Sequence, residues 1–303
     1  MCLALLVPIV GGCTRQQTAV ADKDPALAAA IERLVETFLT SDDDATEASV
    51  LSDARVIFER EGVPGVSKVG DAAAYGFVFI NVVGQPPDFR GRFFSKLGEA
   101  AIRRELPEDA VTFAESHRHE IDVVQSYATH TPSDPELREH IERLFKDDQA
   151  VREKEGFSLK KMEEADRRTA GPLKAIFDRY GVPTYDMVGV QAAKDFVVMV
   201  QHQSPEFRLV VLPKLKVNVD AGQGEPGTYA MVYDRTQRDQ GKNQLYGQQL
   251  ECATGQALEL APIDDEKDVN ARRARLGLIR VELYARLVRL NSPDVCGSIG
   301  SQK

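Results

Sequence analysis

Ile57-Phe58-Glu59-Arg60-Glu61-Gly62-Val63-Pro64 returns further along the chain as Ile176-Phe177-Asp178-Arg179-Tyr180-Gly181-Val182-Pro183. The pairing continues outward in both directions. Downstream, Val69-Gly70 matches Val188-Gly189, Ala73-Ala74 matches Ala192-Ala193, and Phe77-Val78 matches Phe196-Val197. Pro86 matches Pro205, and after a one-residue slip Phe89-Arg90 matches Phe207-Arg208 and Lys96-Leu97 matches Lys214-Leu215. Upstream, Asp24-Pro25-Ala26-Leu27 and Ile31-Glu32-Arg33-Leu34 match Asp134-Pro135-Glu136-Leu137 and Ile141-Glu142-Arg143-Leu144. Two copies of one segment separate fold from chemistry, because the core positions persist in both while site positions need not.

The spacing predicts helices. Leu27, Ile31, Leu34, Val35 and Phe38 recur with a helical period. Asp24 and Asp134 each precede a proline, which is an N-cap followed by Pro at the first helical position. A second helix over about 45–61 stops at Gly62 with Pro64 beyond it, and its twin over 159–180 stops at Gly181 with Pro183 beyond. Gly171-Pro172 is a candidate division of that twin. The Ala-rich runs 72–83 and 190–202 read as buried helices, and Pro86 and Pro205 open the helices after them. The fold class is therefore mainly α: two tandem helical-bundle repeats of four or five helices each. Only the second continues past the last shared helix. There Gln244 to Cys252, a turn at 253–256 and Ala257 to Leu260 read as a β-hairpin. A charged helix over 268–276 and an amphipathic helix over 279–290 follow. The domain plan is 1–23 signal and tether, 24–130 first repeat, 134–292 second repeat with its additions, and 293–303 a disordered tail.

Length and composition fit this plan. The chain has 303 residues, 43% hydrophobic and 28% charged, enough for two ordinary cores. Acidic residues exceed basic ones by 47 to 38, a net charge of -9, which argues against nucleic acid as a partner. Leu3 to Val10 is a short apolar run leading to Val10-Gly11-Gly12-Cys13, which resembles a bacterial lipoprotein signal box. It departs from that pattern in having no Lys or Arg after Met1. Cys13 is the expected lipidation site, and Thr14 in place of Asp points to the outer membrane. The expected location is thus the cell envelope, facing the periplasm, with the membrane as partner through a lipid anchor. Cys252 and Cys296 are left as a candidate disulfide or as two free thiols.

The polar residues peculiar to the second copy carry a resemblance. Gly181-Val182-Pro183 and Val188-Gly189 are followed by Gln201-His202, Asp234-Arg235 and Gln244-Leu245-Tyr246-Gly247-Gln248-Gln249, with Asp166 ahead and Arg273 before Gly277-Leu278. This order resembles a bacterial domain family of unknown function, number 6624, over about 134–290. The family pattern is an acid, Gly-Trp-Pro, Val-Gly, Gln-His, Asp-Arg, Gln-x-Tyr-Gly-Thr-Gln and an Arg before Gly-Leu. Val182 stands where the family has Trp, and Gln248 where it has Thr. The resemblance implies a bacterial origin and a shared site that includes Arg273, and it implies no activity.

The internal comparison selects the same residues independently. Gln201-His202 pairs with Val82-Val83, Arg235 pairs with Ser116, and the segment from Gln244 to Gln249 has no counterpart. Asp166 and Asp234 pair with Glu47 and Glu115, so acidity is common to both copies. His202 is the candidate acid or base, and Asp166 or Asp234 is placed to orient its imidazole or raise its pKa. Arg235 offers a planar fork for carboxylate or phosphate. Gln244, Tyr246 and Gln249 offer donors and acceptors; strand alternation separates Tyr246 from Gln249 unless Gly247 marks a bulge. Structural alternatives exist for each: a helix-end cap, a helix-bridging ion pair, a docked hairpin. His117-Arg118-His119 does not share a helix face, and no metal site, Gly-rich phosphate loop, nucleophile elbow or cofactor motif is expected. The expected function is binding of a small polar or anionic ligand, or a scaffold role, by an envelope lipoprotein. The alternative is a hydrolase or transferase using His202 with an acidic partner.

Overall fold

The computed structural model describes residues 23–152, 159–252, 258–291 and 296. The fold is mainly helical. Six helices come first: α1 (Pro25–Thr40), α2 (Asp44–Glu61), the single turn α3 (Val66–Val69), α4 (Asp71–Val83), α5 (Pro87–Ile102) and α6 (Glu108–Tyr127). Six more follow, again with a single turn in third place: α7 (Pro135–Arg152), α8 (Leu159–Tyr180), the single turn α9 (Tyr185–Val188), α10 (Val190–Val200), α11 (Pro205–Asp220) and α12 (Pro226–Asp239). A hairpin of β1 (Leu250–Cys252) and β2 (Leu258–Leu260), a 3₁₀ turn, α13 (Val269–Ala274) and α14 (Val281–Asn291) complete the chain. No helix among the described residues is long and apolar enough to cross a membrane. Cys13, the signal and tether, the hairpin turn and the tail around Cys296 lie outside the described residues.

Local chemistry explains the boundaries. Asp24 accepts a hydrogen bond from the Leu27 N–H and Asp134 from the Leu137 N–H, both at 2.9 Å. Gly62 and Gly181 end their helices at φ +69° and +75°, a conformation open to glycine and costly for other residues. α8 runs through Gly171-Pro172 undivided. Pro172 frees the carbonyl of Arg168, and because Arg168 and Gly171 are exposed, that carbonyl is on the water side of the helix. The hairpin is shorter than the sequence suggested. Its first strand starts at Leu250, antiparallel to Leu258–Leu260, and Gln244 makes only an isolated bridge to Ile263.

Two cores form, and each borrows from the other half. The first gathers Ile31, Phe77, Phe93 and Phe113, and takes Ala274, Ile279, Leu283 and Leu287 from the C-terminal segment. The second gathers Ile141, Leu173, Phe196, Met199 and Leu215, with Val123 and Tyr127 of α6 packed against it. Arg280 fixes the crossing. Its guanidinium binds both Asp109 oxygens at 2.6 and 2.7 Å and also Asp71 and lies 4.3 Å over the Tyr75 ring, while the backbone N–H of Arg280 donates to the Tyr75 hydroxyl at 2.9 Å. Cys252 and Cys296 are disulfide-bonded, with Cα atoms 5.5 Å apart. The covalent loop so closed contains every C-terminal residue that packs on the first core.

Candidate functional site

Asp234 and Arg235 are neighbours on α12, so their side chains leave the helix about 100° apart. They serve two different clusters. Asp234 is fully buried. One carboxylate oxygen accepts the N–H groups of Leu245 and Tyr246 at 2.8 and 3.0 Å, and the other accepts that of Gln248 at 2.9 Å. Burial pushes its pKa up, against the pull of those same N–H groups. Gln244, also fully buried, donates to the carbonyls of Gln249 and Ala261 at 2.9 and 2.7 Å and accepts the Gln249 N–H at 2.7 Å. Arg273 donates to the carbonyls of Tyr246 and Ile279, both at 2.6 Å, and lies 4.8 Å from the Tyr284 ring; burial lowers its pKa to about 10. Gly247 sits at φ +71°, where a Cβ would come within 2.5 Å of Val281. The segment from Gln244 to Gln249 is therefore a loop wound around a buried carboxylate, and strand alternation does not describe it. Tyr246 packs its ring edge-on to Tyr229 and Tyr233. Asp234, Gln244 and Arg273 spend their bonds on the protein's own backbone.

The second cluster surrounds His202, in the turn that ends α10. Asp148 on α7 is 1% exposed and binds Arg152 through two bonds of 2.9 and 3.0 Å; Arg152 also binds Asp166 on α8. Those two carboxylates keep Arg152 charged against the opposing effect of burial. Arg208 on α11 is buried. It donates to the backbone carbonyls of Gln201 and Gln203 and to the Asp239 carboxylate, while its Nε has no partner among the described residues. Burial, with Arg235 nearby, lowers its pKa to about 10. Gln203 donates to the Thr169 hydroxyl at 3.0 Å. Arg235 is half-buried, and burial also lowers its pKa; Asp166 opposes that effect and Arg152 adds to it. Among the described residues Arg235 makes no hydrogen bond or close ion pair.

His202 itself stays neutral. Burial lowers its pKa to about 4, Arg152, Arg235 and Arg208 add to the effect, and Asp148 opposes it. The Gln201 amide nitrogen lies 3.2 Å from Nε2, as for an amide donating to a neutral ring. This corrects the expectation that an acid orients the ring or raises its pKa. Asp234 is committed to the loop backbone, and Asp166 binds Arg152, its own pKa raised by burial in spite of that bond.

The nine candidate residues are thus divided. Gln201, His202, Arg235 and Asp166 meet around Arg152, while Asp234, Gln244, Tyr246, Gln249 and Arg273 build the loop. Asp148, Arg152, Thr169, Gln203 and Arg208 were missed. A signal existed for three of them. The pairing of the copies sets Asp148 against Phe38, Thr169 against Val50 and Gln203 against Gly84. Arg208 gave none, because it pairs with Arg90. No group of three or more His, Cys, Asp or Glu side chains among the described residues is placed to hold a metal ion.

Comparison with known sequences picks out the second half of the chain. The sequence model of a family of unknown function, DUF6624, matches residues 122–292. The match begins in the last turns of α6, where Val123 and Tyr127 join the second core. No curated protein and no solved structure matches the chain.

Proposed function

We propose, from the premise that this chain belongs to the DUF6624 family, that its second half binds a small anionic ligand at Arg235, beside His202. One observation carries the reading: a half-buried guanidinium with no hydrogen-bonding partner among the described residues, next to a second guanidinium whose buried Nε is also unpartnered. A buried donor without an acceptor, such as the Arg208 Nε, costs free energy, and an oxyanion would also give the half-buried Arg235 fork its partner. The hydrolase or transferase alternative has less support. Its base would be an imidazole that burial, with three cations, holds neutral and that no carboxylate contacts among the described residues. The scaffold role fits the loop cluster better than the His202 cluster, because there the donors and acceptors already close on one another. Crystals soaked in bromide test the reading. An anomalous peak between Arg235 and His202 that disappears in Arg235→Gln is expected, and a site empty of bromide in the wild type rejects it.

We further propose that the protein is an envelope lipoprotein anchored through Cys13. The Val10-Gly11-Gly12-Cys13 pattern supports this, as does a Cys252–Cys296 disulfide, which needs an oxidising compartment to persist. Labelling with a fatty-acid probe should mark the wild type and not Cys13→Ser; an unlabelled wild type refutes the anchor.

A further inference from the structure

We propose that a cavity at the junction of the two halves binds a primary alkylammonium group, seated on Glu120 and Tyr185. The site is separate from Arg235 and does not rest on the anion reading. The cavity, about 240 Å³, lies between α6, α9, the end of α11 and the segment just after α13. Val123, Val219 and Leu276 give it hydrocarbon walls, and Glu120 and Tyr185 give it polar groups. Tyr185 is 2% exposed, yet its hydroxyl makes no hydrogen bond among the described residues. Tyr127, whose ring packs beside it, differs: there the hydroxyl accepts the Gln223 amide. A buried hydroxyl without a partner costs free energy, which a polar ligand in the cavity offsets.

Glu120 makes no hydrogen bond and has no charged counter-ion in contact among the described residues. The Nδ1 of His117 lies 3.9 Å from it, but burial and Arg90 lower the pKa of that imidazole and keep it neutral. The other acids nearby are matched. Glu225 pairs with Lys194 at 3.9 Å, and Asp220, on the cavity wall, pairs with Lys216 at 2.6 Å. Arg275 also lines the cavity, but it is exposed at the mouth, solvated by water, and makes no ion pair with Glu120 among the described residues. The internal comparison sharpens the contrast. Asp239 stands in the second half where Glu120 stands in the first, and it binds Arg208. Arg90 pairs with Arg208, yet it forms no ion pair with Glu120 among the described residues. Tyr185 stands where the first half has Val66. A primary ammonium has three donors, enough for the Glu120 carboxylate and the Tyr185 oxygen together. The hydrocarbon walls take an alkyl stem, which a bare metal ion lacks. Two sources supply the group: a free aliphatic amine and a lysine side chain.

The test follows the methyl resonances of Val123, Val219 and Leu276 in the whole chain at about pH 8, where an alkylamine is protonated and Glu120, its pKa raised to about 7, is ionised. n-Butylammonium chloride should shift them saturably. Sodium butyrate and n-butanol, which match its stem and lack its charge, should not. Glu120→Gln should weaken n-butylammonium binding by about tenfold or more, and Tyr185→Phe by about threefold. Nα-acetyl-lysine amide separates the two sources. Binding as tight as that of n-butylammonium assigns a lysine side chain, and weaker binding a free amine; both keep the ammonium. Butanol or butyrate binding as tightly as n-butylammonium overturns the proposal, and so does a wild type with no saturable shift. A folded Glu120→Gln that binds as well as the wild type overturns it too, and the three-ligand comparison on the wild type decides without that variant.

Discussion

Where α1 packs the partly buried ring of Phe38 against Phe79, the paired position on α7 buries the carboxylate of Asp148. Val50 is similarly paired with Thr169, and Gly84 with Gln203; a Cβ at Gly84 would come within 2.5 Å of Leu51 and 2.9 Å of Phe38. The first half is closed by hydrocarbon at the place where the second holds charge. Among the described residues up to 130, the buried polar side chains are Asn81 and Gln85, which bond to backbone nearby. Beyond it there are eleven, including Asp148, Arg208, Asp234 and Arg273. Burying ions in place of hydrocarbon rarely adds stability, so the second half accepts a cost that the first shows to be avoidable. The structure also shows that this polarity is of two kinds, one closed on itself and one left open.

The closed cluster should give the largest effect. Asp234→Ala leaves three buried N–H groups without an acceptor and Arg273 without its nearby anion. It should cost about 3–5 kcal/mol in urea unfolding. The paired residue Glu115 is exposed on α6, and Glu115→Ala should change stability by less than about 0.5 kcal/mol. Equal costs at the two positions would erase the distinction between the halves.

Next comes the link between them. Cys252→Ser opens a loop whose closure contributes about 2–4 kcal/mol. That loop holds Arg280, Leu283 and Leu287 against the first core, so reduction should release the junction before either bundle. Hydrogen exchange should speed up first in α14 and around Tyr75. Uniform acceleration across α1–α14 would show that the disulfide stabilises the chain as a whole.

The helices were legible because caps and periodicity are local. Asp24-Pro25, Asp134-Pro135, Gly62 and Gly181 state their positions without tertiary help. The site was legible only in part. A motif such as Asp234-Arg235 names two residues together, and one helical step sends them to different neighbourhoods. Gln244 to Gln249 looked like a strand because its residues alternate, yet a buried carboxylate gathering three N–H groups outweighs strand pairing. Asp148 and Arg152 escaped notice because each also reads as part of a solvated charged helix end, and only packing against α8 and α10 buries them.

Two groups with displaced pKa values, one in each half, act on stability with opposite pH dependence. His202 is near 4 in the fold against an ordinary 6.5, so the unfolded chain takes up the proton first. Its contribution is complete above about 6.5 and is lost as pH falls toward 4. Glu120, on α6 at the junction, is raised to about 7 from 4.5 by burial and then by Glu225, against Lys194. The fold binds its proton first, so its contribution is present below 4.5 and lost as pH rises through 7. Each is worth roughly 1–2 kcal/mol once solvent screening is allowed for. The two nearly cancel in the wild type between about 4.5 and 6.5. Glu120→Gln should leave stability rising with pH across that window, and His202→Gln should leave it falling. The same slope in both variants would contradict the opposition.

The smallest effect on stability is the most informative about function. Arg235 is half-buried, makes no hydrogen bond among the described residues and is repelled by Arg152. Arg235→Ala should therefore change unfolding free energy by less than about 0.5 kcal/mol or raise it slightly, as at positions kept for binding rather than for folding. It should also raise the His202 pKa, because one of the three cations that lower it is gone. A loss comparable with that of Asp234→Ala would move Arg235 into the closed cluster. The second half would then differ from the first only in how it is held together.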